Sequence, residues 1–158
     1  MPIQNIADIS LEDIQSLIEN SVLEGKDIEY KRQLPGNNDR DKIRFLATIT
    51  SFANTNGGDV YYGLEESEGR PISANGFPST NIDQDTLRIE QIIRNGVEPS
   101  IPNVQIHNVP VDENNFITVI RVHKSWSSPH RVTLNNHSKF YGRNSAGKYP
   151  LDVNELRT

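Results

Sequence analysis

The sequence predicts a mixed α/β (α+β) fold, a largely antiparallel β-sheet flanked by helices. Three observations carry that reading. Residues 27–33 alternate as a strand does, with Ile28, Tyr30 and Arg32 on one side and Glu29 and Lys31 on the other. Residues 104–111 and 116–123 are two further extended segments, joined through Asp112-Glu113-Asn114-Asn115 as an antiparallel pair. Apolar residues recur at helical spacing after Asp39 and again over 84–95.

Each element has a local cause. Ser10-Leu11-Glu12-Asp13 reads as a capping box, opening a helix to about Asn20 with Leu11, Ile14, Leu17 and Ile18 on one face. After the first strand, Leu34-Pro35-Gly36-Asn37-Asn38 turns the chain, and Asp39 or Asp41 caps a helix reaching Phe52 or Asn54. Its apolar stripe is Ile43, Leu46, Ala47, Ile49, Thr50 and Ala53. Asn54-Thr55-Asn56-Gly57-Gly58 ends it with residues that tolerate left-handed backbone, and a strand runs from Asp59 to Leu64. Polar residues and glycines from Glu65 to Asn75 make a hairpin or loop, and the next helix stops at Gly96. Ser125 to Pro129 is a loop. Short strands at about His130–Leu134 and Lys139–Gly142 turn at Asn135-Asn136, and Leu151 starts a terminal helix. So short a helix is marginal alone, so the chain reads as part of a longer protein. It divides into an N-terminal helix over 1–21 and a domain over 22–158.

Composition narrows the function. The 158 residues suit one such domain, and 34% hydrophobic against 23% charged residues leaves a lean core and a large surface. The formal charge is −5. Proteins that hold nucleic acid through bulk charge are usually basic, so phosphate binding here has to be local, through clustered Lys and Arg or through metal ions. The absence of cysteine excludes disulfides, zinc thiolates and a Cys nucleophile. There is no run of about 18 apolar residues, and the first ten residues lack the basic and apolar regions of a signal peptide. A cytoplasmic protein with no membrane partner is expected.

Several residues carry candidate chemistry. Glu29 and Lys31 share one strand face, where a carboxylate ligates a divalent ion and an ammonium meets a phosphate. An exposed, salt-bridged strand is the plain alternative. Glu24 lies just upstream, and Asp59, Glu65 and Glu66 lie on or just after the later strand. With the two strands adjacent, Glu24, Glu29 and Glu66 converge. Packed carboxylates repel unless a cation intervenes, and an all-oxygen set suits Mg²⁺ or Mn²⁺. A solvated acidic loop is the alternative. The Asn54 to Gly58 turn either presents backbone N–H groups to an anion or only caps its helix. No nucleotide P-loop is present. His107, His123, His130 and His137 have neither metal-ligand spacing nor a G-x-S-x-G partner motif, so histidine catalysis is not expected. Tyr141 to Lys148 combines Arg143 and Lys148 with small residues, and with Lys124, Arg131 and Lys139 it is the most basic stretch of an acidic chain. Trp126 either stacks on a base or packs in the core.

Together these residues resemble the Schlafen AlbA-like domain. The family pattern is roughly E-x-x-x-x-E-[FY]-K, a helix ending A-[FL]-A-N-T-x-G-G, a strand closing G-[VI]-[DE]-[DE], and a late aromatic-rich segment containing R and S. Here these fall on Glu24 to Lys31, Thr50 to Gly58, Gly63 to Glu66 and Phe140 to Ser145, and the resemblance spans about Val22 to Arg157. It implies a mixed α/β fold and nucleic-acid handling. In the nuclease members three carboxylates are catalytic, act with a divalent metal and cut tRNA or other structured RNA. By motif position they are Glu24, Glu29 and Glu66, which would hold Mg²⁺ or Mn²⁺. Lys31 would contact the scissile phosphate, and Arg143, Lys148, Lys124, Lys139 and Trp126 would position the RNA. Glu66 stands where Asp is more usual, Leu64 where Val or Ile is, Gly25 where Ser is common, and Asn144 where Gly or Val is frequent. These departures bear on rate and metal geometry more than on fold. Paired family domains build a two-lobed cleft, so a homodimer with a groove between protomers is expected.

Three functions follow. A metal-dependent endoribonuclease predicts that Glu29→Ala abolishes cleavage while the fold survives. A non-catalytic DNA- or RNA-binding module of a transcriptional regulator predicts salt-dependent binding lost on Arg143→Ala and indifferent to Glu29→Ala. A nucleotide-binding regulatory domain has only the Gly-Gly turn behind it.

Overall fold

The structure, a computed structural model, describes residues 3–157. After a 3₁₀ turn at Ile6–Asp8, the elements are α1 (Leu11–Glu19), β1 (Ile28–Lys31), α2 (Asp39–Ala53), β2 (Gly57–Tyr62) and a hairpin of β3 (Glu65–Ser67) and β4 (Arg70–Ser73). Then come β5 (Phe77–Pro78), α3 (Ile82–Gly96), β6 (Val97–Glu98), β7 (Val104–Pro110) and β8 (Asn115–His123). The last part holds β9 (Arg131–Val132), β10 (Lys139–Asn144), β11 (Gly147–Pro150) and α4 (Val153–Arg157).

The fold is mixed α+β, as expected. β8 runs through a five-stranded sheet. It pairs antiparallel with β7 along one edge and with β2 and then β5 along the other. β1 is parallel to β2, in register Glu29 with Val60 and Lys31 with Tyr62. That parallel pair needs a crossover, and α2 supplies it. A smaller sheet, in the order β11-β10-β9-β6, closes over the other side of α2.

This position explains why α2 is buried on every side over Phe45 to Ala53, beyond the stripe its sequence suggests. A helix between two sheets has no solvent face. Its polar residues there satisfy themselves: Thr50 Oγ1 donates to the Leu46 carbonyl at 2.8 Å and Ser51 Oγ to that of Thr48 at 2.6 Å. The main core lies between α2, α3 and one face of the large sheet, with Leu46, Ile49, Phe52, Val60, Ile89 and Ile120 at its centre. The other sheet face carries a second core in which Ile6, Ile9 and Ile14 cover Tyr30, Tyr61, Ile117 and Val119. The N-terminal segment therefore packs on the same sheet as the residues that follow it.

Element boundaries differ from expectation for local reasons. The capping box at Ser10 is present, with Ser10 and Asp13 bonded both ways. The cap of α2, however, is Asn38, whose side chain accepts from Asp41 N–H at 2.8 Å, rather than Asp39 or Asp41. α3 likewise starts early, on an Asn81 cap. β2 begins at the glycines and ends at Tyr62, not Leu64. Gly58 is needed there because a Cβ would lie 2.5 Å from both the Asp27 carbonyl and the Phe52 ring. The His130–Leu134 strand shortens to two residues, and Gly147–Pro150 forms a hairpin strand the sequence reading missed.

Candidate functional site

The site is organised by Glu29. Strand alternation points it, with Lys31, at the α2 side of the sheet, where it is buried at 6% exposure. Its Oε1 accepts from Arg143 Nη1 at 2.9 Å. Its Oε2 accepts from Thr48 Oγ1 at 3.1 Å and faces Lys31 Nζ at 3.5 Å and Lys148 Nζ at 3.9 Å. Burial acts to raise the Glu29 carboxyl, but Lys148, Lys31 and Arg143 outweigh it and hold the group below its ordinary range. Burial lowers the Lys148 ammonium, with Glu29 opposing that fall.

Arg143 is an interior residue. It stacks over Phe52, 4.1 Å from the ring centroid, and donates to Ser51 Oγ at 3.2 Å and to the Gly25 carbonyl at 2.8 Å. The guanidinium expected to position RNA therefore ties β10, α2 and the Glu24-Gly25 turn together, and its side chain is only 1% exposed. β10 is held in place for this by Asn54. The Asn54 amide donates to the His130 and Tyr141 carbonyls at 3.1 and 2.9 Å and accepts from His130 N–H at 2.7 Å. The helix-ending Asn of the sequence pattern is thus a clamp between α2 and the small sheet.

Glu24 sits beside this pair. Its Oε2 accepts from Tyr30 N–H at 2.9 Å, and its own N–H donates to the Gly69 carbonyl in the β3–β4 turn at 2.7 Å. Burial pushes its carboxyl up against that hydrogen bond, and both Glu29 and Glu66 add to the rise. Glu66 is exposed, with Oε2 accepting from Gly69 N–H at 2.9 Å. The three carboxylates thus form a chain with Glu24 in the middle. Their oxygen chemistry suits a hard cation such as Mg²⁺ or Mn²⁺, although Lys31 already offsets part of the charge at Glu24. Among the described residues, no three His, Asp or Glu side chains stand close enough to hold an ion together. Asp59, a further acidic candidate, is spent elsewhere: it pairs with Arg121 across β2 and β8.

Glu24, Glu29, Lys31, Arg143 and Lys148 line one open cleft of about 440 Å³, walled by Glu68-Gly69 on one side and Ser145-Ala146-Gly147 on the other. The remaining predicted residues do not line it. Lys124 and Lys139 are exposed, and Trp126 is fully exposed in its loop, which removes the core-packing alternative. Arg131 pairs with Glu98 at 3.2 Å. His130 is buried, between the Pro99 carbonyl at 2.7 Å and Ser125 Oγ at 2.6 Å, and does not line this cleft. The sequence reading missed Thr48 and Ser51, the hydroxyls that hold Glu29 and Arg143. Their signal is a pair of polar residues inside an otherwise apolar helical run.

The described helices include none long and apolar enough to cross a membrane. No curated protein matches the chain. Among solved structures, the chain is similar to the DIP2311 protein from Corynebacterium diphtheriae, at 17% identity and a TM-score of 0.52. The likeness covers 90% of this chain and 26% of that one, so this chain spans about a quarter of its length. At that identity the likeness concerns the fold alone. The family described as Schlafen, AlbA_2 matches residues 24–152, from the first cleft carboxylate to beyond β11. A match of that extent makes the chain a member of the Schlafen AlbA_2 family, a membership that suggests a nucleic-acid-related function.

Proposed function

We propose that the chain is a divalent-metal-dependent endoribonuclease domain acting on tRNA or other structured RNA, working as a homodimer. The observation that carries the reading is the cleft that sets Glu24 and Glu29 beside Lys31 and Lys148. Carboxylates next to ammonium groups in one opening suit a phosphodiester and a metal together. Glu24 and Glu29, which line the cleft, would hold Mg²⁺ or Mn²⁺, and Glu66, outside it, would have to move with the β3–β4 turn to join them. Such an ion, when bound, offsets the charge that develops on the phosphoryl oxygens. Lys31 and Lys148 hold the phosphate as point charges. Arg143 acts behind them as a positioning residue, fixing the Glu29 carboxylate through Nη1 and the Glu24-Gly25 turn through Nη2. Lys124, Lys139 and Trp126 are a second contact region for the RNA outside the cleft.

A non-catalytic RNA- or DNA-binding module is the second reading. It is favoured by the engagement of both Glu29 oxygens with cationic and hydroxyl donors. Incubating the protein with total tRNA in Mn²⁺ or Mg²⁺, beside EDTA and a Glu24→Gln variant, separates the two. Metal-dependent fragments that vanish in the variant are expected of the nuclease. Full cleavage in EDTA sinks the metal-dependent mechanism, and intact tRNA that is nevertheless bound favours the module.

A further inference from the structure

The cleft has a neighbour. A second cavity of about 170 Å³ lies against it, and Lys31 and Lys148 line both. Thr48 lines this cavity and donates to Glu29 Oε2, so it belongs to both sides of the wall. Its lining includes Phe45 and Tyr62, both under 5% exposed, with ring centroids 6.0 Å apart and planes tilted by 49°. The rim carries the exposed side chains of Gln33 and Arg44, neither of which has a partner among the described residues. Asp41, also at the rim, is already spent on the loop before α2, accepting from Gly36 N–H and the Asn38 amide at 3.2 Å each.

We propose that this second cavity receives the nucleoside flanking the phosphate held at Lys31 and Lys148, an inference that rests on the reading of the cleft as a phosphodiester site. A bare anion would use the lysines and leave the rest of the cavity idle. A base has an apolar face and a hydrogen-bonding edge, and the cavity is lined by two aromatic residues together with an exposed amide and guanidinium. Because the two lysines are common to both openings, a phosphodiester seated on them directs one of its nucleosides into each. Gln33 and Arg44 then set which base is preferred, since amide and guanidinium groups pair with different base edges.

The test titrates the protein, with EDTA present, with inorganic phosphate and with the four nucleoside monophosphates. At least one nucleotide should bind about tenfold more tightly than phosphate, the scale of one accommodated base. In the Gln33→Ala/Arg44→Ala double variant, whose side chains are exposed and whose folding is checked by urea unfolding, that advantage should disappear. Equal binding of nucleotide and phosphate by the unaltered protein overturns the proposal, as does an advantage that survives in the double variant. In either case, phosphate binding that is lost in Lys31→Ala/Lys148→Ala leaves the cleft reading standing. Failure of the unaltered protein to bind phosphate or any nucleotide in EDTA overturns the proposal, and the same failure in Mn²⁺ sinks the cleft reading as well.

Discussion

Two buried carboxylate–guanidinium pairs sit on opposite faces of the same sheet, and they do different work. Asp59 and Arg121 face each other across β2 and β8 in a bidentate pair, at 2.8 and 2.9 Å. The remaining guanidinium nitrogen donates to the carbonyls of Ile3 and Gln4, so the pair is closed and fastens the N-terminal segment to the sheet. Glu29 and Arg143 begin the same way and end differently. Arg143 is closed off by Phe52, Ser51 and Gly25, but the second Glu29 oxygen opens on a cleft with Lys31 and Lys148 around it. A structural pair needs one cation per carboxylate. A carboxylate attended by more positive charge than it can neutralise leaves an electrostatic field for an incoming anion. Around the Glu29 carboxylate itself the cations outnumber the acid, although Glu24 and Glu68 balance the cleft lining as a whole; on the proposed function this local excess marks the face that meets phosphate in a chain whose net charge is −5.

The strongest way to break this comparison is to remove one acid from each pair. Asp59→Ala and Glu29→Ala should each cost about 3–5 kcal/mol in urea unfolding, because each strands a buried guanidinium. Unchanged stability in Glu29→Ala would mean that Arg143 does not depend on Glu29. This revises the expectation that Glu29→Ala tests catalysis on an intact fold, and that Arg143→Ala tests binding alone. Both residues hold the interior together. Glu24→Gln, which removes charge at the edge of the network, is the cleaner test of chemistry.

Outside both pairs, Trp126→Ala should leave stability within about 0.5 kcal/mol, as an exposed substitution does. If its ring stacks on RNA, affinity should fall by about 1–3 kcal/mol in an anisotropy titration. An unchanged affinity removes that loop from the interface. Lys31→Ala, at an exposed position, should change stability by under about 1 kcal/mol, and Lys148→Ala, at a half-buried one, by more. Each should also lower the slope of log affinity against log salt by about 1, read from titrations over a salt series. Slopes equal to that of the unaltered protein would place the phosphate elsewhere.

The smallest expected effect is on pH dependence. The Glu29 carboxyl is held below its ordinary value of 4.5, so its stabilising contribution is complete above that pH. It is lost as the pH falls through the lowered folded value. The stability gap between the unaltered protein and Glu29→Gln should therefore be constant at neutral pH and narrow in acid. A gap that widens in acid would give the shift the opposite sign.

Much of this was legible in the sequence, for reasons that differ by element. Strand alternation in 28–31 placed Glu29 and Lys31 on one face because a period of two leaves no choice. The helix of 39–53 and the hairpin of β7 and β8 followed from periodicity and turn residues. The family pattern indicated the fold and marked Glu24, Glu29 and Glu66. Burial was not legible. Arg143 reads as a surface cation in sequence because nothing local says that β10 lies over α2. That placement depends on Asn54 reaching residues 130 and 141, contacts across more than seventy positions. The short β5 and β6 escaped because two-residue strands carry no period.

On the proposed function, the Glu29 cleft and not the rest of this acidic surface meets the nucleic acid. The most direct measurement is an NMR titration of the protein with a short single-stranded RNA in EDTA, following backbone amides. The largest shifts should fall at Lys31, Thr48 and Ser145 to Lys148, with little change around Asp59 and Arg121. Shifts absent from the cleft, or equal on the two faces of the sheet, would contradict it.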